Sequence, residues 1–495
     1  MGVVRIAIDS ELAASHGAEI AWTWRTLLSG IGHAWQQVPP EASCDIAYVR
    51  DPAACRATIV VRVNPAAWAQ ARTRRLASCG HAGELTWLNF EGDEDQLHPV
   101  TRLDGRIVCD RDVVFDVFWI AAGLDEKDWP HSAHGFVDLE ASPSARRGVL
   151  REAVASAIGC AIERWLAEAG CPAPQRRWPA GKRLAACTGH DVDYPEVVPV
   201  IGPLWLLARR GRAALTPAWD LVRGRRHHWQ FQSWIDLEAG VGMRSAFYFV
   251  ARQGSLVERT LGTPDPFYDV RSPRFRELFR ALRDQGVEIG LHASYRACEA
   301  PDTIAREKAT LEEACGAEVV GTRHHYWRLN PDDPIETLRF HERAGLLYDC
   351  SLTHDRYLGW RRGFTWPFYP FDPSERRRVA TLQIPTAWMD NQLFGLARYN
   401  PGPIDFHLDT LVDRVAQHGG CVMTDVHEYV YDPVLFPGWA QAYRGLLDRL
   451  AARGDVWFAR PADVARHWAS RVTALEAAST GLAIPVDGSG RRGHG

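Results

Sequence analysis

The chain has 495 residues, a formal net charge of −4, and 46% hydrophobic and 24% charged residues. That length exceeds one ordinary domain, so two or three are expected. The balance is that of a globular protein and excludes a strongly basic nucleic-acid binder.

Short basic clusters at 208–215, 223–229 and 374–379 read first as solvated surface, with attraction to an anionic substrate or lipid phosphate as the sharper reading. The first twenty residues lack the basic and apolar regions of a secretory signal and read as a short strand followed by polar sequence. The 11 cysteines form no CxxC pair, which fits reduced thiols and, with no export signal, a cytoplasmic location. No apolar run has the length of a membrane span. The segment 197–208 carries Trp205 and is followed by arginines. It reads as a lid or packing helix, with a membrane-surface segment as the alternative.

In chain order, residues 1–150 form an N-terminal α/β domain of unknown role. "RIAIDS" and "ATIVVRVNP" look like strands, and "GELTWLNFEG" and "GRIVCDRDVVFDVFWIAAG" mix strand and helix periods. Residues 151–183 read as a helix ending at Gly170 and a Pro- and Arg-rich linker. From 184 to 470, eight apolar runs alternate with amphipathic helices: "LAACTGHDVD", "MRSAFYFVA", "VEIGLHAS", "AEVVGTRHHY", "LLYDCSL", "TLQIPTAW", "GCVMTDVHEY" and "DVWFARP". This alternation predicts an α/β fold with a largely parallel sheet or barrel. Residues 471–495 read as a disordered tail.

The chemistry gathers at the ends of these runs, where α/β folds collect their ligands. Asp191 and Asp193 end the first, His292 the third, Arg323, His324 and His325 the fourth, Asp349 the fifth, and Asp425 and His427 the seventh. Residues i and i+2 of a strand face one way, so Asp191 and Asp193 can share a centre while His190 points away as a structural group. One Asp with two His is a common ligand set for a divalent ion. The second carboxylate could then act as a base on a water beside that ion.

In this order, "TGHDVD", "EIGLHAS", "GTRHHYWR", "LLYDCSL" and "TDVHEY" resemble the motifs of the polysaccharide deacetylases, the nodulation-deacetylase-like carbohydrate esterases. The resemblance covers about 184–470 and is nearest to a divergent branch with HDVD as first motif and an extra N-terminal domain. It implies a deformed (β/α) barrel, usually of seven strands, and hydrolysis of an N-acetyl group on a saccharide or glycolipid. It implies Asp191 as catalytic base, Asp193 and His292 as ligands of one divalent metal ion, Arg323 as the group orienting the base, His427 as acid and Asp349 as the residue tuning it. Zinc is the first choice of ion, with cobalt, nickel or manganese as alternatives. The family motif has a second His four residues after the first, where this chain has Arg296. His325 is therefore the expected third ligand and His324 the fallback.

Aromatic residues are abundant, with 20 tryptophans. Most aromatics in the runs 359–372 and 384–394 read as core; Trp360, Trp366 and Trp388 are the candidates for a sugar-stacking wall instead, Tyr295 is a candidate substrate contact, and the loop 261–269 a candidate cover over the cleft. Two other readings stand beside the deacetylase: hydrolysis of an N-formyl or cyclic amide, and a catalytically impaired saccharide-binding or scaffold protein.

Overall fold

The eight apolar runs all become strands of one sheet in a computed structural model of the chain. The structure describes residues 2–93, 98–124, 126, 129–132, 142, 145, 147–196 and 201–479. The sheet order is Leu382–Gln383, Tyr348–Asp349, Gly321–His324, Glu288–Ala293, Ala246–Phe249, Leu184–Val192, Cys421–Asp425 and Thr386–Met389, with Val456–Phe458 pairing the start of Leu184–Val192. Every pairing is parallel. Its two edge strands come from the single run "TLQIPTAW". Ile384 and Pro385 interrupt it, and a proline cannot donate to a ladder. One extended stretch thus bridges both edges and curls the sheet into the deformed (β/α) barrel that was expected.

Strand periodicity fills the barrel in layers. Tyr348 donates from its hydroxyl to Glu288 at 2.6 Å, and its oxygen lies 2.9 Å from that of Tyr248. The Arg323 guanidinium lies 4.8 Å from the Tyr248 ring centroid. Space for these groups comes from small residues on neighbouring strands. A Cβ on Gly189 would lie 2.3 Å from the Tyr248 ring and 2.9 Å from the Arg323 guanidinium, and one on Gly290 would lie 2.4 Å from Tyr248. The next inward positions on those two strands are Asp191 and His292.

Before the barrel, a six-stranded sheet has the order Ala34–Val38, Val3–Ile8, Ile46–Val49, Ile59–Arg62, Arg106–Cys109, Val100–Leu103, with only the last strand antiparallel. The polar sequence expected after the first strand is instead a helix, Ser10–Ile31, with Asp9 accepting from the Leu12 amide as its N-cap. A hairpin, Leu76–Ala82 with Leu85–Phe90, completes this part.

One apolar cluster runs from this sheet through helix Val154–Glu168 into the barrel interior at Cys187, Tyr248 and Met423. The segment expected to be a linker is docked: Gln175 donates its amide to the Gly32 carbonyl, and Trp178 is buried. Residues 471–478, expected in a tail, instead belong to helix Pro461–Ala478, which carries the chain back onto strands Ala34–Val38 and Leu184–Val192. Residues 480–495 lie outside the described residues. Among the described residues no helix is long and apolar enough to cross a membrane.

Trp366 joins the two parts. A Cβ on Gly30 would lie 2.6 Å from its indole and one on Gly159 3.0 Å, and Arg177 sits 5.1 Å over its ring. The sugar-wall expectation for Trp366 is therefore corrected: packing between two helices takes its whole surface. Trp366→Ala should lower stability by about 3–5 kcal/mol, the range for a fully buried aromatic, measured by urea unfolding of the full chain.

Candidate metal and acid–base site

The site begins where strand Leu184–Val192 ends. The buried Glu428 carboxylate accepts the Asp193 amide at 3.1 Å and the Tyr194 amide at 3.2 Å, fixing the turn that aims Asp193 inward. His190 faces the other way, with its ring nitrogens 2.8 Å from the Val426 carbonyl and 2.8 Å from Glu238.

Asp193, His292 and His325 converge, and together they could hold a metal ion. The Nε2 atoms of His292 and His325 lie 3.3 and 3.5 Å from Asp193 Oδ1. Each imidazole is turned by its other nitrogen: His292 Nδ1 donates to the Arg323 carbonyl at 2.7 Å, and His325 Nδ1 to Asp265 at 3.1 Å. A ring that donates from Nδ1 offers an Nε2 lone pair, which is how protein imidazoles present themselves to metals. Asp193 Oδ1 and His325 Nε2 are buried and have no hydrogen-bond partner among the described residues. Buried orphans of this kind cost free energy unless something satisfies them, and a divalent cation fits this donor set. Burial opposes ionisation of Asp193, but the facing His325, His292 and His427 hold its carboxyl well below the usual range.

His325 reaches the site through unusual backbone. The residues after it, Tyr326 and Trp327, have φ of 60° and 49°, a left-handed conformation that non-glycine residues adopt at a cost of about 1–3 kcal/mol each. His324 departs in the opposite direction, with its Nε2 2.7 Å from that of His341. Burial and His341 push its pKa well below the usual imidazole range. The fallback ligand is thus turned away. Arg296, which stands where the family motif has a His, is an exposed residue paired with Glu299 at 2.8 Å.

Beside the triad, Asp191 Oδ2 lies 3.6 Å from His292 Nε2. Arg323 donates from Nη1 to Asp191 Oδ1 at 2.9 Å and lies 3.0 Å from Asp425 Oδ1, with no solvent exposure. Burial works against the guanidinium charge, but Asp191 and Asp425 outweigh it and hold the Arg323 pKa high. Burial and the neighbouring Asp191 charge push the Asp425 carboxyl up.

On the opposite side His427 Nε2 lies 3.6 Å from Asp193 Oδ2. The residue that holds it is Asp390, which accepts from His427 Nδ1 at 3.0 Å and from its backbone amide at 2.7 Å. Against the cost of burial, Asp390 raises the His427 pKa well above the usual imidazole range. Asp349, expected in this place, accepts instead from the Ser351 hydroxyl at 2.5 Å and lies 4.0 Å from His341 Nδ1. Its two-residue strand turns the carboxyl to the His324 side, which corrects that expectation.

The aromatic expectations are also redistributed. Trp360 and Trp388 are buried in a narrow apolar hollow with Leu408 and Leu411 that includes none of the site's residues. Tyr295 is nearly buried, packed edge-on against Tyr326 and faced by Arg328. The rings beside the site are Tyr326, whose centroid is 4.9 Å from that of His325, and Tyr429, 5.5 Å from His427 and 5.6 Å from Tyr194. The loop expected to cover the cleft contributes Asp265, itself paired with Arg252 at 2.9 Å and accepting the Tyr295 amide.

No protein-family model and no curated protein matches the chain. Among solved structures it is similar to a protein of Mycobacterium smegmatis assigned as a polysaccharide deacetylase, at 18% identity and a TM-score of 0.39, over 63% of this chain and 97% of that one. A Pseudomonas aeruginosa PAO1 protein with the same assignment matches at 18% identity and a TM-score of 0.40, over 62% and 97%. Puue allantoinase matches at 17% identity and 0.40, over 61% and 95%.

Metal analysis by plasma mass spectrometry checks the donor set. About one equivalent is expected in the wild type, lost in Asp193→Ala, His292→Ala and His325→Ala, and kept in Arg296→Ala and His324→Ala. Asp265→Asn should weaken metal affinity about 10–100-fold, the usual cost of removing a partner that orients a ligand histidine.

Proposed function

We propose that the chain is a metal-dependent hydrolase that cleaves the amide of an N-acetylated sugar. The observation that carries this is the convergence of Asp193, His292 and His325 on a point flanked by a carboxylate, Asp191, and an imidazole, His427. Those three residues would hold one divalent ion, zinc foremost. Such an ion, when bound, supplies a Lewis acid that polarises a carbonyl and acidifies a water.

The remaining steps belong to the chain's own residues. Asp191, oriented by Arg323, accepts the proton of the attacking water. His427, kept protonated by Asp390, donates to the nitrogen of the collapsing tetrahedral adduct, so the amine leaves neutral. Acetate and a free amino sugar result. A carboxylate base and an imidazolium acid across one centre match the two proton transfers of amide hydrolysis. Tyr326, 37% exposed at the mouth, and Tyr429 offer ring faces to a pyranose. The saccharide or glycolipid nature of the substrate rests on these rings and on the motif resemblance.

The test is acetate release, with appearance of an equimolar primary amine, from a panel of N-acetylated hexosamine saccharides. The metal-reloaded wild type should release acetate, and Asp191→Asn should be slower by about 10²–10⁴-fold, as for loss of a general base. Metal-loaded wild type that releases no acetate while hydrolysing N-formyl or cyclic amides would replace the acetyl reading. Inertness on all of them would leave saccharide binding without catalysis.

The pH profile tests the acid. Asp390 raises the His427 pKa, so the acid form should persist into alkaline solution and activity should fall only as pH rises through the raised value. Removing the carboxylate in Asp390→Asn should move the alkaline limb of log kcat/KM to lower pH by about one unit or more, leaving the acidic limb in place.

A further inference from the structure

Two connections leave the C-terminal ends of adjacent barrel strands, after Leu184–Val192 and after Ala246–Phe249, and both expose apolar side chains beside the site. The first contains helices Ile201–Arg210 and Leu215–Val222, joined by the turn Gly211–Ala214. Its inner face is buried: Leu206, Ala214, Ala218 and Leu221 belong to the apolar cluster of the barrel's outer layer.

Its outer face is apolar too. Leu204, Leu215, Trp219 and Val222 are 53–61% exposed. The last three sit at i, i+4 and i+7, one stripe of a single helix. A helix with one face in the core ordinarily presents polar residues on the other, and an exposed apolar stripe rimmed by charge marks a contact surface. The rim is basic: Arg212, Arg223 and Arg225 are exposed, Arg223 lies 4.6 Å over the Trp219 ring, and Asp220 is the one acid between 201 and 226.

The hairpin is fastened to the site. Arg226 pairs with both oxygens of Asp432 at 2.8 Å, and Arg210 donates to the Val434 and Leu435 carbonyls, all in the stretch that follows His427. The second connection carries Leu256, Val257 and Leu261, 58–79% exposed. From the same short helix Arg259 donates to the Tyr194 hydroxyl at 3.2 Å, and the loop beyond supplies Asp265 to His325.

From these observations we infer that the face around the site's mouth docks on the surface of an anionic lipid bilayer. Leu204, Leu215, Trp219 and Val222 enter the interface between headgroups and acyl chains, while Arg212, Arg223 and Arg225 meet lipid phosphates. A Trp, aliphatic side chains and flanking arginines on one helical face are the composition of interfacial helices, and basic residues add electrostatic attraction to an anionic leaflet. A partner protein would be matched by shape. Here the apolar stripe and its basic rim complement a surface that is apolar within and negative without.

The test is flotation of the full chain with vesicles of phosphatidylcholine alone and of phosphatidylcholine mixed with phosphatidylglycerol. Binding is expected to the mixed vesicles, weaker to neutral ones, and reduced by salt. The paired substitutions Leu215→Glu with Trp219→Glu, and separately Arg223→Glu with Arg225→Glu, should each weaken binding about tenfold or more. All four positions are exposed, so the melting temperature should stay unchanged, which separates loss of docking from loss of fold. Vesicle binding needs neither metal nor turnover, so its result is independent of the amide-hydrolase reading. A wild type that does not float with phosphatidylglycerol vesicles, or variants that float equally well, would overturn the inference. So would wild-type dimerisation in light scattering that the apolar variants abolish without any vesicle binding.

Discussion

One buried cation organises the site. Arg323 sits inside the barrel with no access to water, so its charge must be met by protein. Asp191 and Asp425 supply the countercharges, the Tyr248 ring supplies a face, and Gly189 supplies the room. The same residue acts twice: its guanidinium aims Asp191, and its backbone carbonyl accepts a hydrogen bond from His292 Nδ1. Asp191 and His292 are thereby oriented by one residue on one strand. Removing half of such a buried pair leaves an uncompensated charge, typically at a cost of about 3–5 kcal/mol, so the arrangement holds its parts together tightly.

The second organising feature is a ring of carboxylates behind the histidines. Asp265 holds His325, Asp390 holds His427, and Glu428 holds the amides of Asp193 and Tyr194. None lies on the strand that carries the group it holds. Each comes from a loop or a helix start, and two of the three support an imidazole by accepting from Nδ1, leaving Nε2 for the centre. The pKa values of His427 and His324 shift in opposite directions because their neighbours differ. His427 has Asp390 against both its ring and its amide, which keeps its pKa high. His324, one residue before His325, is buried against the His341 imidazole, and burial and that neighbour lower its pKa despite Asp349 nearby.

Sequence carried the first of these features well and the second poorly. All eight apolar runs from 184 onward are strands, and the period of two places Asp191 with Asp193 and Arg323 with His325 on the inner face while turning His190 and His324 outward. Periodicity says nothing about loops, so Asp265 was legible only as part of a segment near the cleft, and Asp390 not at all, although it follows directly on the strand Thr386–Met389. Asp349 was misplaced because a two-residue strand has no period from which to read a face. Trp360, Trp366 and Trp388 are core, the commoner fate of aromatics in such runs, and composition alone does not separate that fate from a sugar wall. The helix Ser10–Ile31 escaped because Gly17 and a kink at His16 break its pattern.

The first 124 residues take on a physical role through this same geometry. The floor of the barrel is packed with Cys187, Tyr248, Tyr348 and Met423, and that packing continues without a break into the N-terminal sheet by way of Phe364, Trp366 and Phe368. The N-terminal part therefore closes the lower end of the barrel. Approach to Asp193 and its neighbours is left to the upper face, where the strands end in Tyr194, Tyr326 and Tyr429 and the two connections carry their exposed apolar side chains. The buried Asp191 carboxylate, the His427 imidazole with its raised pKa, and the buried Asp193 and His325 all lie beneath that face.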